Sequence, residues 1–183
     1  MSPAQLPDKA VREAIATLQA AVGSATRGLP EDIFLFVSSL TPMLNVDLLI
    51  RDADGRTLLT WRHDAFYGPG WHIPGGIIRF KELAANRIAA VAASELGAEV
   101  SFRPDPLCIR ELFNKSRDVR GHFVSQLFDC TLLSELDPVR RFDANAPRNG
   151  AWLWHERAPD NLIPAQESFR PFIDARPHEP VST

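Results

Sequence analysis

Gly75-Gly76-Ile77-Ile78-Arg79-Phe80-Lys81-Glu82, followed after a helix-length interval by Ser94-Glu95-Leu96-Gly97, decides how this chain folds. The order is a glycine turn, an acid, a helix, and a second acid just before a helix-ending glycine. A carboxylate in the last helical turn faces the negative end of the helix dipole, where a cation is favoured. Glu95 makes physical sense there if a bound cation offsets the repulsion. Glycine lets the backbone come close to a ligand. The segment therefore reads as a metal site beside a loop that can approach phosphates.

Lys81 to Leu96 is alanine-rich, with Ile88, Val91 and Leu96, and predicts a helix able to lie close against a sheet. Upstream, Trp71–Ile73 reads as a short strand and Pro74-Gly75-Gly76 as a turn. Val46–Ile50 and Thr57–Trp61 flank the turn Asp52-Ala53-Asp54-Gly55, which predicts a β-hairpin. Pro30-Glu31-Asp32 starts a short helix over Ile33–Leu40 in preference to a strand. Further out, Val11, Ala14, Ile15, Leu18 and Val22 recur at helical spacing, with Asp8 as N-cap and Gly23 as stop. This amphipathic helix packs either on the domain or on a second copy of it.

Downstream, strands are expected around Glu99–Phe102, Leu107–Asn114, His122–Leu132 and Trp152–Trp154, with a final helix over Gln166–Ala175. The chain divides into an N-terminal helix and linker (1–28), one domain (29–176) and a disordered tail (177–183).

At 183 residues, 45% of them hydrophobic and 23% charged, the chain has the size and composition of one globular domain. A net charge of -3 with no basic block argues against a nucleic-acid duplex as partner. No apolar run reaches bilayer-spanning length and the first residues lack a secretory pattern. Cys108 and Cys130 have no ligand-like spacing, so both are expected to be free thiols. These features predict a cytoplasmic protein that does not bind membranes.

The spacing Gly76-x5-Glu82, with Glu95 and Gly97 closing the helix, resembles the Nudix hydrolase pattern G-x5-E-x7-R-E-U-x-E-E-x-G-U, in which U is bulky and aliphatic. Ala90, Val91 and Ser94 stand where that family has an arginine and two glutamates, and Ala98 stands at the last U, so the box is degenerate. The hairpin, the Trp-x-x-Pro-Gly-Gly turn and the helix come in the family's order, and the similarity runs over about residues 29–163. Within the family, the chain looks most like the GDP-mannose mannosyl hydrolases. Thr41-Pro42-Met43, Asp47, Trp61-Arg62 and Glu95-Leu96-Gly97 carry that likeness. Two positions depart from it. Ile77 replaces an arginine, although Arg79 follows, and the loop 145–149 lacks the histidine that supplies that subgroup's base.

The resemblance implies an α/β Nudix fold, an α/β/α sandwich with a mixed β-sheet, here with an N-terminal helical extension. It also implies a Mg²⁺-dependent hydrolase, with Mn²⁺ as alternative ion, acting on a nucleoside diphosphate-linked compound. A nucleotide sugar is the first choice, a conventional pyrophosphohydrolase reaction is one alternative, and a catalytically weak domain that senses a nucleotide metabolite is another. The expected partners are a small-molecule nucleotide and a second copy of the chain.

Magnesium commonly uses one or two protein carboxylates and completes its shell with water and substrate phosphate. Glu95 is the candidate ligand, with the Gly76 carbonyl as a second and Glu82 as a weaker third. Arg87 is placed to hold Glu95 when no metal is bound. Asp47 lies in an apolar strand, where an acid needs a partner. Paired with Arg62, it is expected to bind a sugar or base edge and a phosphate, with Arg79 as a further phosphate contact. Candidate general bases are His72, His122, Glu111 and His155. His122 is preferred, because it starts a strand beside the expected site.

Overall fold

The computed structural model describes residues 8–175. The tail expected over 177–183 lies outside them. Eight strands and four α-helices follow in the order α1 (Lys9–Val22), α2 (Glu31–Ser38), β1 (Met43–Ile50), β2 (Thr57–Arg62), β3 (Gly70–His72), β4 (Gly75–Ile77), α3 (Ala84–Val91), β5 (Val100–Phe102), β6 (Cys108–Phe113), β7 (His122–Leu132), β8 (Trp152–His155) and α4 (Arg170–Asp174). One sheet is mixed: β1 pairs in parallel with β7 and antiparallel with β4. The other edge of the long β7 takes β6 along its first half and β5 along its second, both antiparallel. A separate antiparallel sheet has the order β3-β2-β8. This is the mixed α/β architecture expected.

Strand alternation sorts the core. Val46, Leu48 and Ile50 of β1 pack with Ile88, Val91 and Leu96 beside α3. Leu49 packs on the other face with Leu127, Phe169, Phe172 and Ile173 beside α4. Asp47 and Asn45 share the odd-numbered face with Leu49, so β1 delivers an acid into a wall that is otherwise apolar.

Four local expectations change. The β1–β2 hairpin closes at a single bridge, Arg51 to Thr57, and its arms then enter different sheets. Both edges of β1 are already taken, by β7 along its length and by β4 over Asn45–Asp47. The expected turn at Gly75-Gly76 is instead strand β4. A Cβ on Gly76 would come within 2.7 Å of Val91 Cγ2, and one on Gly75 within 2.8 Å of the Val46 carbonyl. Glycine is therefore what lets β4 lie flush between β1 and α3. The third change is at the start of α3, which begins at Ala84 rather than Lys81. Lys81 has φ of 59°, a left-handed value incompatible with a right-handed helix. Similarly, the final helix is split into a 3₁₀ segment, Pro164–Phe169, and α4.

α1 begins at Asp8 as expected, the Asp8 carboxylate accepting the Val11 N–H at 2.8 Å, and ends at Gly23 with φ of 61°. None of its residues is buried, and Val11, Ile15 and Leu18 remain exposed. Both cysteines are free thiols. Among the described residues no helix is long and apolar enough to cross a membrane.

Candidate active site

α3 continues without a break into a wider π turn, Ala92–Leu96, which Gly97 ends in the left-handed conformation at φ of 64°. The Ala98 N–H reaches back to the Ala92 carbonyl at 3.2 Å, a closure of the Schellman type. Arg140 donates from Nη1 to the Ser94 carbonyl, placing a cation at the negative helix end. The π turn carries Glu95 to the mouth of a cavity of about 400 Å³. That cavity is also lined by Asp47, Arg62, Gly75 and Gly76, so four of the residues named from sequence meet Glu95 in one place.

Glu95 is half-buried, and burial pushes its carboxyl up to about 7; Arg62 and a hydrogen bond with the Gly75 backbone pull it down, and Asp47 pushes it further up. Asp47 is 1% exposed. Burial pushes it up to about 6, against hydrogen bonds from Ser125, Asn45 and Gln166. Asn45 Nδ2 donates to Asp47 Oδ2 at 3.0 Å, Ser125 Oγ donates to the same oxygen, and Gln166 Nε2 donates to Oδ1 at 3.0 Å. Gln166 is itself fixed, its Oε1 accepting the Ile73 N–H at 2.6 Å.

The expected Asp47–Arg62 pair is not formed. Arg62 Nε donates to Asp64 Oδ2 at 2.6 Å, and Asp64 Oδ1 accepts the N–H groups of Phe66 and Tyr67 at 2.8 and 2.9 Å. Asp64 thus ties the guanidinium to the loop after β2, whereas Asp47 finds neutral donors closer at hand.

Other expectations are also corrected. Glu82 does not line the cavity: its carboxylate takes Arg87 Nη2 at 2.7 Å, Arg87 Nε at 2.9 Å and the Arg79 N–H at 2.8 Å. Arg87 accordingly serves Glu82 and not Glu95. The exposed Arg79 is likewise absent from the cavity wall. His122, the preferred base, bonds to Glu111 at 2.7 Å and lines a second cavity of about 270 Å³. His72 does line the main cavity, but both ring nitrogens are committed. Nδ1 donates to the Ile73 carbonyl at 2.8 Å, so in the neutral ring Nε2 accepts from Thr60 Oγ1 at 3.0 Å. Burial, with the Arg62 charge, pushes His72 down to about 4, which keeps that neutral form.

Several cavity residues escaped the sequence reading, among them Asn45, Asp64, Tyr67, Arg120 and Gln166. None has a telling neighbour in the chain. Gln166 lies 119 positions from the Asp47 it contacts. Arg120 carries only a weak signal, an arginine before a glycine in a turn.

The donor set fits one hard cation rather than a cluster held by side chains alone. Among the described residues no three His, Cys, Asp or Glu side chains converge as a ligand group. Glu95 offers a carboxylate short of positive charge beside the glycine backbone of β4, and the remaining sites of an ion such as Mg²⁺ suit water and phosphate.

No family model matches the chain. The low-salt glycan biosynthesis protein Agl8 of Haloferax volcanii is 31% identical over 111 residues, which span 58% of this chain and 70% of Agl8. The MutT Nudix hydrolase of Burkholderia pseudomallei superposes with a TM-score of 0.55 at 23% identity, over 68% of this chain and 92% of that one. The MutT protein of Methanosarcina mazei gives 0.55 at 17% identity, over 73% and 94%. A Nudix-family hydrolase of Clostridium perfringens gives 0.52 at 14% identity, over 73% and 95%. With this fold, a relative matched over most of its length, and Gly76, Glu82, Glu95 and Gly97 in the box spacing, the chain belongs to the Nudix hydrolase family.

Proposed function

We propose that the chain is a Mg²⁺-dependent hydrolase of a nucleoside diphosphate-linked compound, with nucleotide sugars as the leading class and GDP-mannose as the first to test. The observation that carries this reading is the placement of Glu95 and Arg62 in one cleft, beside the glycine backbone of β4. A carboxylate lacking a protein cation faces a guanidinium, which is the charge arrangement a metal-bound diphosphate complements. The name of the Haloferax volcanii relative, a glycan biosynthesis protein, supports a sugar-linked substrate.

Each side chain then has a role set by its surroundings. Glu95 and the Gly76 carbonyl hold the ion, which when bound supplies charge neutralisation of the diphosphate. Arg62, tied down by Asp64, presents its remaining N–H groups to phosphate oxygen. Asp47, immobilised by Asn45, Ser125 and Gln166, offers a fixed acceptor for sugar hydroxyls or a base edge. His72 supports the wall in a neutral form and leaves no nitrogen free to take a proton.

A second reading, binding without turnover, is favoured by the lack of a three-residue ligand cluster among the described residues. One experiment separates the two. Nucleotide sugars and diphosphates are incubated with the protein, with and without Mg²⁺, and products are identified by chromatography. Release of a nucleoside diphosphate marks cleavage between the sugar and the diphosphate; a nucleoside monophosphate with a sugar phosphate marks attack at phosphorus within the diphosphate. A Mg²⁺-dependent rise in melting temperature with no product supports the sensor. No shift and no product with any compound removes both readings.

A further inference from the structure

Three guanidiniums lie against the neighbouring rings of Tyr67, Phe66 and Phe34, and among the described residues only one has an anionic partner. Arg62 lies 4.6 Å and Arg117 4.3 Å from the Tyr67 ring centre, while Arg120 sits against Phe66 at 4.8 Å and Phe34 at 5.3 Å. Asp64 pairs with Arg62. Among the described residues neither Arg117 nor Arg120 forms an ion pair, and each keeps a buried nitrogen without an acceptor, Nη1 of Arg117 and Nε of Arg120. Aromatic faces compensate part of the desolvation of a guanidinium but accept no hydrogen bond along its N–H directions. Buried donors left in that state mark a place for an outside acceptor.

The backbone holds Arg120 in an uncommon conformation. Its φ of 52° is the left-handed region, uncommon for a residue with a side chain. The Arg120 N–H donates to Ser38 Oγ at 3.0 Å and its carbonyl accepts from the Tyr67 hydroxyl at 2.9 Å. Next to it, a Cβ on Gly121 would approach the Arg117 carbonyl to 2.6 Å, so the β6–β7 turn is closed tightly. α2, the loop after β2 and the β6–β7 turn thus converge to aim one guanidinium. Arg120, Arg62 and Glu95 all line the same cavity.

We propose that Arg120, together with Arg62, forms a subsite for the second phosphate of a diphosphate group in the cavity that Glu95 also lines. This rests on the nucleoside diphosphate reading and specifies it: the cleft selects linked phosphate pairs over single phosphates. Phe34 and Phe66 keep the Arg120 plane in place, and Arg117, behind Tyr67, adds positive potential.

The test uses the full chain freed of metal by a chelator, titrated calorimetrically with inorganic pyrophosphate and with orthophosphate. Pyrophosphate is expected to bind about tenfold tighter or more, and Arg120→Gln to remove that preference. Arg120→Lys, which keeps the charge but loses the planar fork, is expected to lose part of it; it also serves if the glutamine variant fails to fold. Equal binding of the two anions by the unaltered protein, or a preference unchanged in the folded variants, overturns the subsite. Hydrolysis of a nucleotide sugar without pyrophosphate preference overturns the subsite and keeps the hydrolase. A preference without turnover of any nucleotide keeps the subsite and removes the hydrolase.

Discussion

Glu82 and Glu95 stand at opposite ends of one helical segment and have opposite fates. Glu82 is gripped by Arg87 and the Arg79 N–H, and its carboxyl is held below the ordinary value despite desolvation. Glu95, desolvated with no salt bridge among the described residues, is pushed up to about 7. The difference separates an acid that the fold neutralises from one that it leaves for a ligand. The same contrast repeats among the arginines: Arg62 pairs with Asp64, whereas Arg120 lies against aromatic rings and forms no ion pair among the described residues.

The largest effect is expected at the unneutralised end. Glu95→Gln should lower hydrolysis on the order of a hundredfold to a thousandfold, as removal of one transition-state electrostatic contact does. The metal-free variant should also melt no lower than the parent, because a desolvated carboxylate is gone. A variant with undiminished turnover would place the ion elsewhere.

The reverse pattern is expected at the other end. Glu82→Leu leaves Arg87, 9% exposed, without its partner and should cost about 3 kcal/mol in chemical denaturation. Turnover per folded molecule should hold, and loss of activity without loss of stability would return Glu82 to the site.

Asp47 tests the cost of keeping a charge for function. Its folded pKa of about 6 lies above the ordinary 3.8, so its ionisation opposes folding above about pH 4, and fully so above about pH 6. The gap sets a ceiling of about 3 kcal/mol at neutral pH. Asp47→Asn should raise the melting temperature at pH 7, by less than this ceiling because donors from Asn45 and Ser125 then face an amide. The advantage should vanish near pH 4. A neutral-pH melting temperature below the parent's would show that those hydrogen bonds outweigh desolvation.

A further contrast lies at His155 on β8, whose buried Nε2 has no partner among the described residues and whose ring meets Trp71 edge-on at 4.4 Å. Burial pushes it down to about 4 from 6.5, so its contribution to stability is intact above pH 6.5 and is lost as pH falls toward 4. His155→Phe should flatten that acid limb in thermal melts from pH 7 to 4, and an unchanged slope would assign the limb to other groups.

The box spacing, the alanine-rich helix and the strand alternation were legible in the chain because each is a local pattern, set by turn chemistry and side-chain period. They led to the mixed α/β fold, to most strands, and to Glu95, Gly76, Asp47 and Arg62 as cavity residues. The errors fell where one group has several partners to choose from. Arg87 and Glu95 are eight residues apart, about 12 Å along a helix, whereas Glu82, just before the helix and next to the left-handed Lys81, lies within bonding distance of Arg87. His122 begins the strand expected, but its side chain lies with Glu111 on another face.

Local sequence thus determined which residue types stand at the ends of α3 and in β1, because backbone geometry over a few residues depends on those residues alone. Tertiary structure decided which charges are answered and which are left open. Gln166, Tyr67 and Arg120 reach the cleft from α4's approach, the loop after β2 and the β6–β7 turn, so their pairing depends on distances no single stretch of chain encodes.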